Sequence, residues 1–325
     1  MENNNKSVVY FVIPCYNEEE VLPETVKRLS EKINELIDNG LASEKSRALF
    51  VDDGSKDKTW EMIVQYSRDN KYIGGVKLSR NRGHQNALLA GLMTAKGKCD
   101  CAISLDADLQ DDIGAIDEFI RKYQEGCEVV YGVRSSRDKD TAFKRGTAQG
   151  YYKFMAMLGV DIVYNHADYR LMGKRALEAL SEYKEVNLFL RGIVPLIGFK
   201  SDYVYYERSE RFAGESKYPL KKMLKFAVDG ITSFSVKPLK IISNIGIIMC
   251  LLSVIFFIYA IISFFSGSSV AGWASIMCSI WFLGGLQMLC IGIVGTYVGK
   301  IYSEVKQRPR FTIDKTIINQ ESEKE

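Results

Sequence analysis

Short apolar runs alternate with amphipathic stretches through the first two thirds of the chain. The runs at residues 8–13, 48–51, 75–78, 101–105 and 129–133, several bounded by Gly, Asp or Asn, predict strands. Between them, residues 19–37, 58–67, 85–94 and 113–123 repeat apolar side chains at helical spacing. Alternation of this kind predicts an α/β fold, an open and mostly parallel sheet with helices on both faces. The pattern then changes. No charged residue occurs between Lys240 and Lys300, an interval long enough for two membrane crossings of about 20 residues each. The small-residue cluster Ser266-Gly267-Ser268-Ser269 reads as a turn, so residues 241–265 and 270–299 are expected to form a transmembrane helical hairpin. Just before it, residues 218–236 carry apolar positions on one side and Lys221, Lys222 and Lys225 on another, the pattern of an interfacial helix on anionic lipid. Four parts result: a catalytic domain at 1–213, an interfacial segment at 214–240, two spans within 241–299 and a C-terminal tail at 300–325.

Charge sets the expected orientation. Lys237 and Lys240 precede the first span, Lys300, Lys306, Arg308 and Arg310 follow the second, and the turn between has no charge. The positive-inside bias then places both termini and the large domain in the cytosol, on a multi-pass protein of the cytoplasmic membrane. The polar N-terminus lacks the apolar core of a signal peptide. A net charge of only +3 gives no support to nucleic-acid binding. The seven cysteines form no C-x-x-C pair and the histidines are just His84 and His166, so a zinc site is not expected.

Candidate chemistry collects at the ends of the predicted strands, where open α/β sheets bind ligands. Strand one runs into Pro14-Cys15-Tyr16-Asn17-Glu18-Glu19, strand two into Asp52-Asp53-Gly54-Ser55, and strand four into Asp106-Ala107-Asp108-Leu109-Gln110. Residues two apart in an extended chain point the same way, so Asp106 and Asp108 can share one hard cation, Mg²⁺ or Mn²⁺, with Gln110 adding a carbonyl oxygen. Such an ion suits a diphosphate leaving group. Asp52 or Asp53 can accept hydrogen bonds from a nucleoside, or simply cap the next helix. No P-loop and no G-x-G-x-x-G is present, which removes the main support for a kinase, an ATPase or a dinucleotide enzyme. Between residues 134 and 217 cations recur near aromatic residues, and Arg211 and Lys217 lie just before the apolar interval, at the height of a lipid phosphate.

With these motifs assembled, the chain resembles the family 2 glycosyltransferases, in particular the branch acting on polyprenyl phosphates, over nearly its whole length. The resemblance rests on Val12–Glu19, Val51–Asp57, Ser79–Gln85, Leu105–Asp111, Ala167-Asp168-Tyr169-Arg170-Leu171, Phe189-Leu190-Arg191-Gly192, Arg211–Tyr218 and Val298–Arg310. It implies a GT-A fold and inverting transfer from a nucleotide-sugar, a UDP-sugar with a GDP-sugar as the alternative, to undecaprenyl phosphate. By analogy Pro14, Asn17, Glu19, Asp52, Asp53 and Asp106 line the nucleotide-sugar pocket. Asp106, Asp108 and Gln110 hold the metal, while Arg134, Arg145, Arg211 and Lys217 take the acceptor phosphate. Asp168 matches the acidic residue proposed as catalytic base, and Asp108 joins it as catalytic. A phosphomonoester is already largely dianionic at neutral pH, so orienting the phosphate or the sugar is the alternative role for Asp168. Relatives of this type form homo-oligomers, tetramers included. Two departures stand out: Asp112-Ile113-Gly114 replaces the prolines common after this acidic motif, and Thr296 stands where relatives often carry Glu. A processive polysaccharide synthase would need an Arg-Trp pair, and Trp60, Trp273 and Trp281 follow Thr59, Gly272 and Ile280. An inactive membrane scaffold of the same fold is a further alternative.

Overall fold

The computed structural model describes residues 6–108, 110–135, 166–186, 189–207, 237–265 and 272–318. Four strands make the parallel part of the sheet: β1 (Val9–Cys15), β2 (Arg47–Asp52), β3 (Ile73–Leu78) and β4 (Cys101–Ser104). Every residue of β1 and β4 is buried, as strands covered on both faces must be. The covering helices are α1 (Leu22–Asp38), α2 (Thr59–Asp69), α3 (His84–Ala95) and α4 (Ile116–Gln124). Phe11, Ile13 and Phe50 join one core cluster with Leu29 and Ile33 of α1, Ile63 of α2 and Phe119 of α4. The alternate positions Val12 and Val51 face α3 instead. There a Cβ on Gly91 would stand 2.3 Å from Val12 Cγ1 and 2.7 Å from Val51 Cγ2, so only glycine lets this helix lie so close to the sheet.

The rest of the sheet is mixed in direction, within the mostly parallel arrangement expected. β5 (Val129–Arg134), β6 (His166–Gly173), β7 (Ser201–Tyr206) and β8 (Ile313–Ile317) complete eight strands in the order β7-β5-β6-β4-β1-β2-β3-β8. β6 runs antiparallel to both β4 and β5, and β7 is parallel to β5. Two short helices follow β6, α5 (Lys174–Glu182) and α6 (Leu190–Leu196). The fold is thus a mixed, mostly parallel sheet with helices on both faces, the GT-A architecture. Antiparallel β6 matters for function. Its register sets Ser104 opposite Arg170, and continuing it by two residues sets Asp106 across from Asp168. The Ser104 hydroxyl fastens this corner by donating to the Asp168 carbonyl, with the Arg170 carbonyl 3.3 Å away.

β8 comes from the expected C-terminal tail. It pairs antiparallel with β3, and Ser79 N–H donates to the Thr312 carbonyl at 3.0 Å. Arg310 adds a guanidinium hydrogen bond of 2.6 Å to the Tyr183 carbonyl. The segment after the apolar interval is therefore the edge strand of the sheet.

A second compact unit contains α7 (Lys237–Phe265) and α8 (Trp273–Lys306). At about 1.5 Å per residue each exceeds the roughly 30 Å of a bilayer core. Among the described residues one stretch, Phe282–Lys306, is long and apolar enough to cross a membrane, with a mean hydropathy of 1.6 and none of it buried. On α7, Ile248, Leu251, Ile255 and Ile262 are also exposed. Exposed apolar surface on this scale needs a partner medium. The expected turn at 266–269 and nearly all of the interfacial segment lie outside the described residues.

Candidate active site

The ends of β1 and β2 are latched to each other. Asn17 adopts a left-handed conformation (φ 54°), which short polar side chains tolerate. Its N–H donates to Ser55 Oγ at 3.0 Å and its Oδ1 accepts from Lys56 N–H at 2.9 Å. Glu19 Oε2 accepts from Lys58 N–H at 3.0 Å. Pro14 is buried within β1, opposite Val51. Asp52 and Asp53 divide their work. Asp52 is fully buried, its Oδ1 accepts from Ser55 N–H at 3.1 Å, and its Oδ2 is a buried acceptor without a partner. Asp53 uses both oxygens on the loop after β3, accepting from Arg82 N–H at 2.6 Å and Gly83 N–H at 2.9 Å. Burial raises the pKa of both carboxyls, and their backbone hydrogen bonds oppose it. Asp53 thus shapes a loop, and Asp52 retains acceptor capacity for a ligand.

Gly54 makes the contact between these two loops. Its φ is +67°, and a Cβ would meet Asn81 N at 2.6 Å and the Arg80 carbonyl carbon at 2.7 Å, both backbone atoms that cannot rotate away. Gly54→Ala is therefore expected to cost about 1–3 kcal/mol through strain and displacement of the loop. Thermal unfolding checks this, and the melting temperature should fall.

Asp106 and Asp108 follow β4, and Asp108 Oδ1 accepts from Gln110 N–H at 3.3 Å, which turns the chain back. Burial raises the pKa of Asp106, and the nearby Asp168 and Asp108 charges push it further. The side chain keeps 37% of its surface open to solvent, so water moderates the effect. Asp111 lies deeper, with a pKa pushed up to about 6 by burial and then by Asp106. Its Oδ1 accepts from the Tyr206 hydroxyl at 2.6 Å and lies 3.8 Å from the Arg134 guanidinium at the end of β5.

Asp168 faces this group from β6. Arg170 donates to its Oδ1 at 2.5 Å, and Arg191 reaches both oxygens, at 3.3 Å from Nε and 3.2 Å from the terminal nitrogen. Burial alone would raise the carboxyl's pKa. Arg191 and Arg170 reverse that and hold it well below the usual carboxylate range. Arg170 is itself 2% exposed, an unusual place for a guanidinium unless it is paired. His84, the first residue of α3, completes the cluster, with Nε2 3.5 Å from Asp106 Oδ1 and 3.7 Å from Asp168 Oδ2.

The structure therefore brings together Asp106, Asp108, Asp168 and, through Asp111, Arg134. Asn17, Glu19, Asp52 and Asp53 stand at the neighbouring strand ends. Arg145, Arg211 and Lys217 lie outside the described residues. Sequence reasoning passed over Arg170, Arg191 and His84 as site residues. The first two sat inside motifs already noticed, but nothing in their spacing revealed that both point at Asp168. Among the described residues no group of three or more His, Cys, Asp and Glu side chains is arranged to hold a metal. The donor set nevertheless suits one kind of ion. Mg²⁺-type ions take one or two carboxylates and complete their shell with substrate phosphates and water, and a cation would relieve the mutual repulsion of Asp106 and Asp108.

An acidic cluster thus stands at the carboxyl ends of a mostly parallel sheet, the place where open α/β sheets bind their ligands. Residues 10–181, more than half of the chain, match the family described as glycosyl transferase family 2, and the chain belongs to that family. Its relatives include the uncharacterized glycosyltransferase YkoT of Bacillus subtilis (strain 168), 56% identical over 98% of this chain and 94% of the relative. The prophage bactoprenol glucosyl transferase homolog of Escherichia coli (strain K12) is 37% identical over 94% of this chain and 98% of its own. The bactoprenol glucosyl transferase of Shigella phage SfII is also 37% identical, over 95% and 98%.

Proposed function

We propose that this glycosyltransferase moves a hexose, glucose in the first instance, from a UDP-sugar to undecaprenyl phosphate with inversion at the sugar carbon. The observation that carries the reading is the convergence of Asp106 and Asp168, which lie 3.5 and 3.7 Å from the same His84 nitrogen, in a chain aligned almost end to end with bactoprenol glucosyl transferases. An acceptor phosphate oxygen forms the new bond to the anomeric carbon as the bond to the diphosphate oxygen breaks, so the nucleoside diphosphate departs with the electron pair. Asp52, whose buried Oδ2 has no partner within the protein, takes the nucleoside, and the latched turns at Asn17 and Glu19 fix the pocket beside it. Asp106 and Asp108 hold the Mg²⁺ or Mn²⁺ that neutralises the diphosphate when bound, with Gln110 beside them. Asp168, held ionised by two guanidiniums, orients groups and accepts hydrogen bonds better than it takes protons.

The apolar α7 and α8 anchor the enzyme to the membrane from which the acceptor comes, as a two-span hairpin with the catalytic domain in the cytosol. Arg134, Arg145, Arg211 and Lys217 receive the lipid phosphate, and Gly284, Gly285, Gly292 and Gly295 allow close helix packing in a homo-oligomer.

The test is purified protein in detergent with Mg²⁺ or Mn²⁺, undecaprenyl phosphate and a panel of radiolabelled nucleotide sugars. Label is expected in the organic phase from one donor. It should be lost on chelation and reduced by about 10²-fold or more in Asp108→Ala. Protein that binds UDP yet labels no lipid from any donor would reject the acceptor.

A further inference from the structure

His84 is a residue to which the glycosyl-transfer reading gives no task, and its setting is built rather than incidental. The residue before it, Gly83, has φ +86°, and its N–H is fastened to Asp53. The residue after it, Gln85, accepts from Leu190 N–H at 3.2 Å through its side chain. The Leu190 carbonyl lies 3.4 Å from an Arg170 nitrogen, and Arg170 grips Asp168. The residues on both sides of His84 are thus tied down, Gly83 to the end of β2 and Gln85, through its side chain, to the first residue of α6. Its imidazole spans the gap between Asp106 and Asp168. Yet at 3.5 and 3.7 Å both carboxylates stand at or beyond the edge of hydrogen-bond reach. The side chain is 41% exposed. A ring nitrogen placed between two acceptors, and closed onto neither, has its capacity left for a third partner.

We infer that His84 contacts the transferred sugar, donating from Nε2 to a hydroxyl oxygen that in turn donates a hydrogen bond to the Asp106 carboxylate. The inference rests on the function proposed above: Asp106 belongs to the diphosphate side and Asp168 to the acceptor side, so the group between them is the sugar that passes across. A hydroxyl is the group such a place satisfies, since it accepts from the imidazole while donating to a carboxylate. The helix start adds a favourable field for this electron-rich group, because the first-turn amides of α3 carry partial positive charge.

The experiment uses the full-length protein, with His84→Ala and His84→Gln, the latter keeping an N–H at similar reach. Calorimetry compares UDP with UDP-glucose, and the lipid-transfer assay gives kcat. His84→Ala is expected to bind UDP like the wild type, to lose the extra affinity for UDP-glucose, and to drop kcat by on the order of 10²-fold. His84→Gln should recover most of both. Unchanged UDP-glucose affinity and kcat in His84→Ala would overturn the inference. So would a loss of UDP binding shared by both variants and accompanied by a lower melting temperature, since that marks a structural role alone. A wild type that binds UDP-glucose but labels no lipid rejects the acceptor reading, while the affinity comparison still decides His84. If UDP-glucose does not bind, GDP-mannose against GDP is the second pair, and failure of both pairs rejects function and inference together.

Discussion

Asp168→Asn should lower kcat by on the order of 10²–10³-fold, and the deficit should be the same at every pH from 6 to 9. The substitution keeps the shape and removes the charge. Without it, one of the two oxygens that accept from Arg170 and Arg191 becomes an NH₂ group that cannot, and Arg170 becomes a buried, unbalanced cation. The pH dependence separates two roles. If Asp168 served to take a proton from the acceptor phosphate, the variant would recover as pH passes the second phosphate pKa near 6, where the phosphate ionises unaided. A carboxyl held far below its ordinary pKa is a weak base, so a constant deficit is expected. Rate profiles of both proteins over that range make the distinction, with the donor KM as a check that binding is retained.

The second large effect is on stability. Arg170→Met should destabilise the catalytic domain by about 3–5 kcal/mol, because it leaves the Asp168 carboxylate, 8% exposed, without its nearest cation. Arg191 remains but is one-third exposed and longer-ranged, so it offsets only part of the loss. Replacing both partners, Asp168→Leu with Arg170→Met, should restore much of the stability while leaving the enzyme inactive. Acid provides an independent check with a definite sign. The folded pKa of Asp168 is depressed, so its contribution is fully present above the unfolded value near 4 and is lost as pH falls toward the folded value. Wild type and Arg170→Met should therefore differ at neutral pH and converge in strong acid, as measured by thermal or denaturant unfolding in detergent.

These predictions depend on a part of the sheet that the chain's patterning conceals. β1 to β4 are read easily because a strand covered on both faces must be apolar throughout, and their bounds in the structure lie within a few residues of the apolar runs. β6 hides for the opposite reason. It carries Asp168 and Arg170, whose charges are satisfied by each other and by Arg191 rather than by water, so no apolar run marks it. β7 and β8 are edge strands with many exposed positions, and their polar alternation resembles loop. The same contrast holds in the candidate site. Asp106 and Asp108 announce themselves by sitting two apart after an apolar run. The separate duties of Asp52 and Asp53 depend on a loop 30 residues away, which local spacing does not encode.

The pairing of β8 with β3 constrains how the chain can meet a bilayer. β7 precedes the two long helices and β8 follows them, yet both are strands of one sheet. A chain that leaves a sheet and later rejoins it must end in the compartment where it began. Whatever crossings occur between Tyr206 and Ile313 therefore come in an even number, a parity fixed by backbone hydrogen bonds and independent of any hydropathy threshold or count of flanking charges.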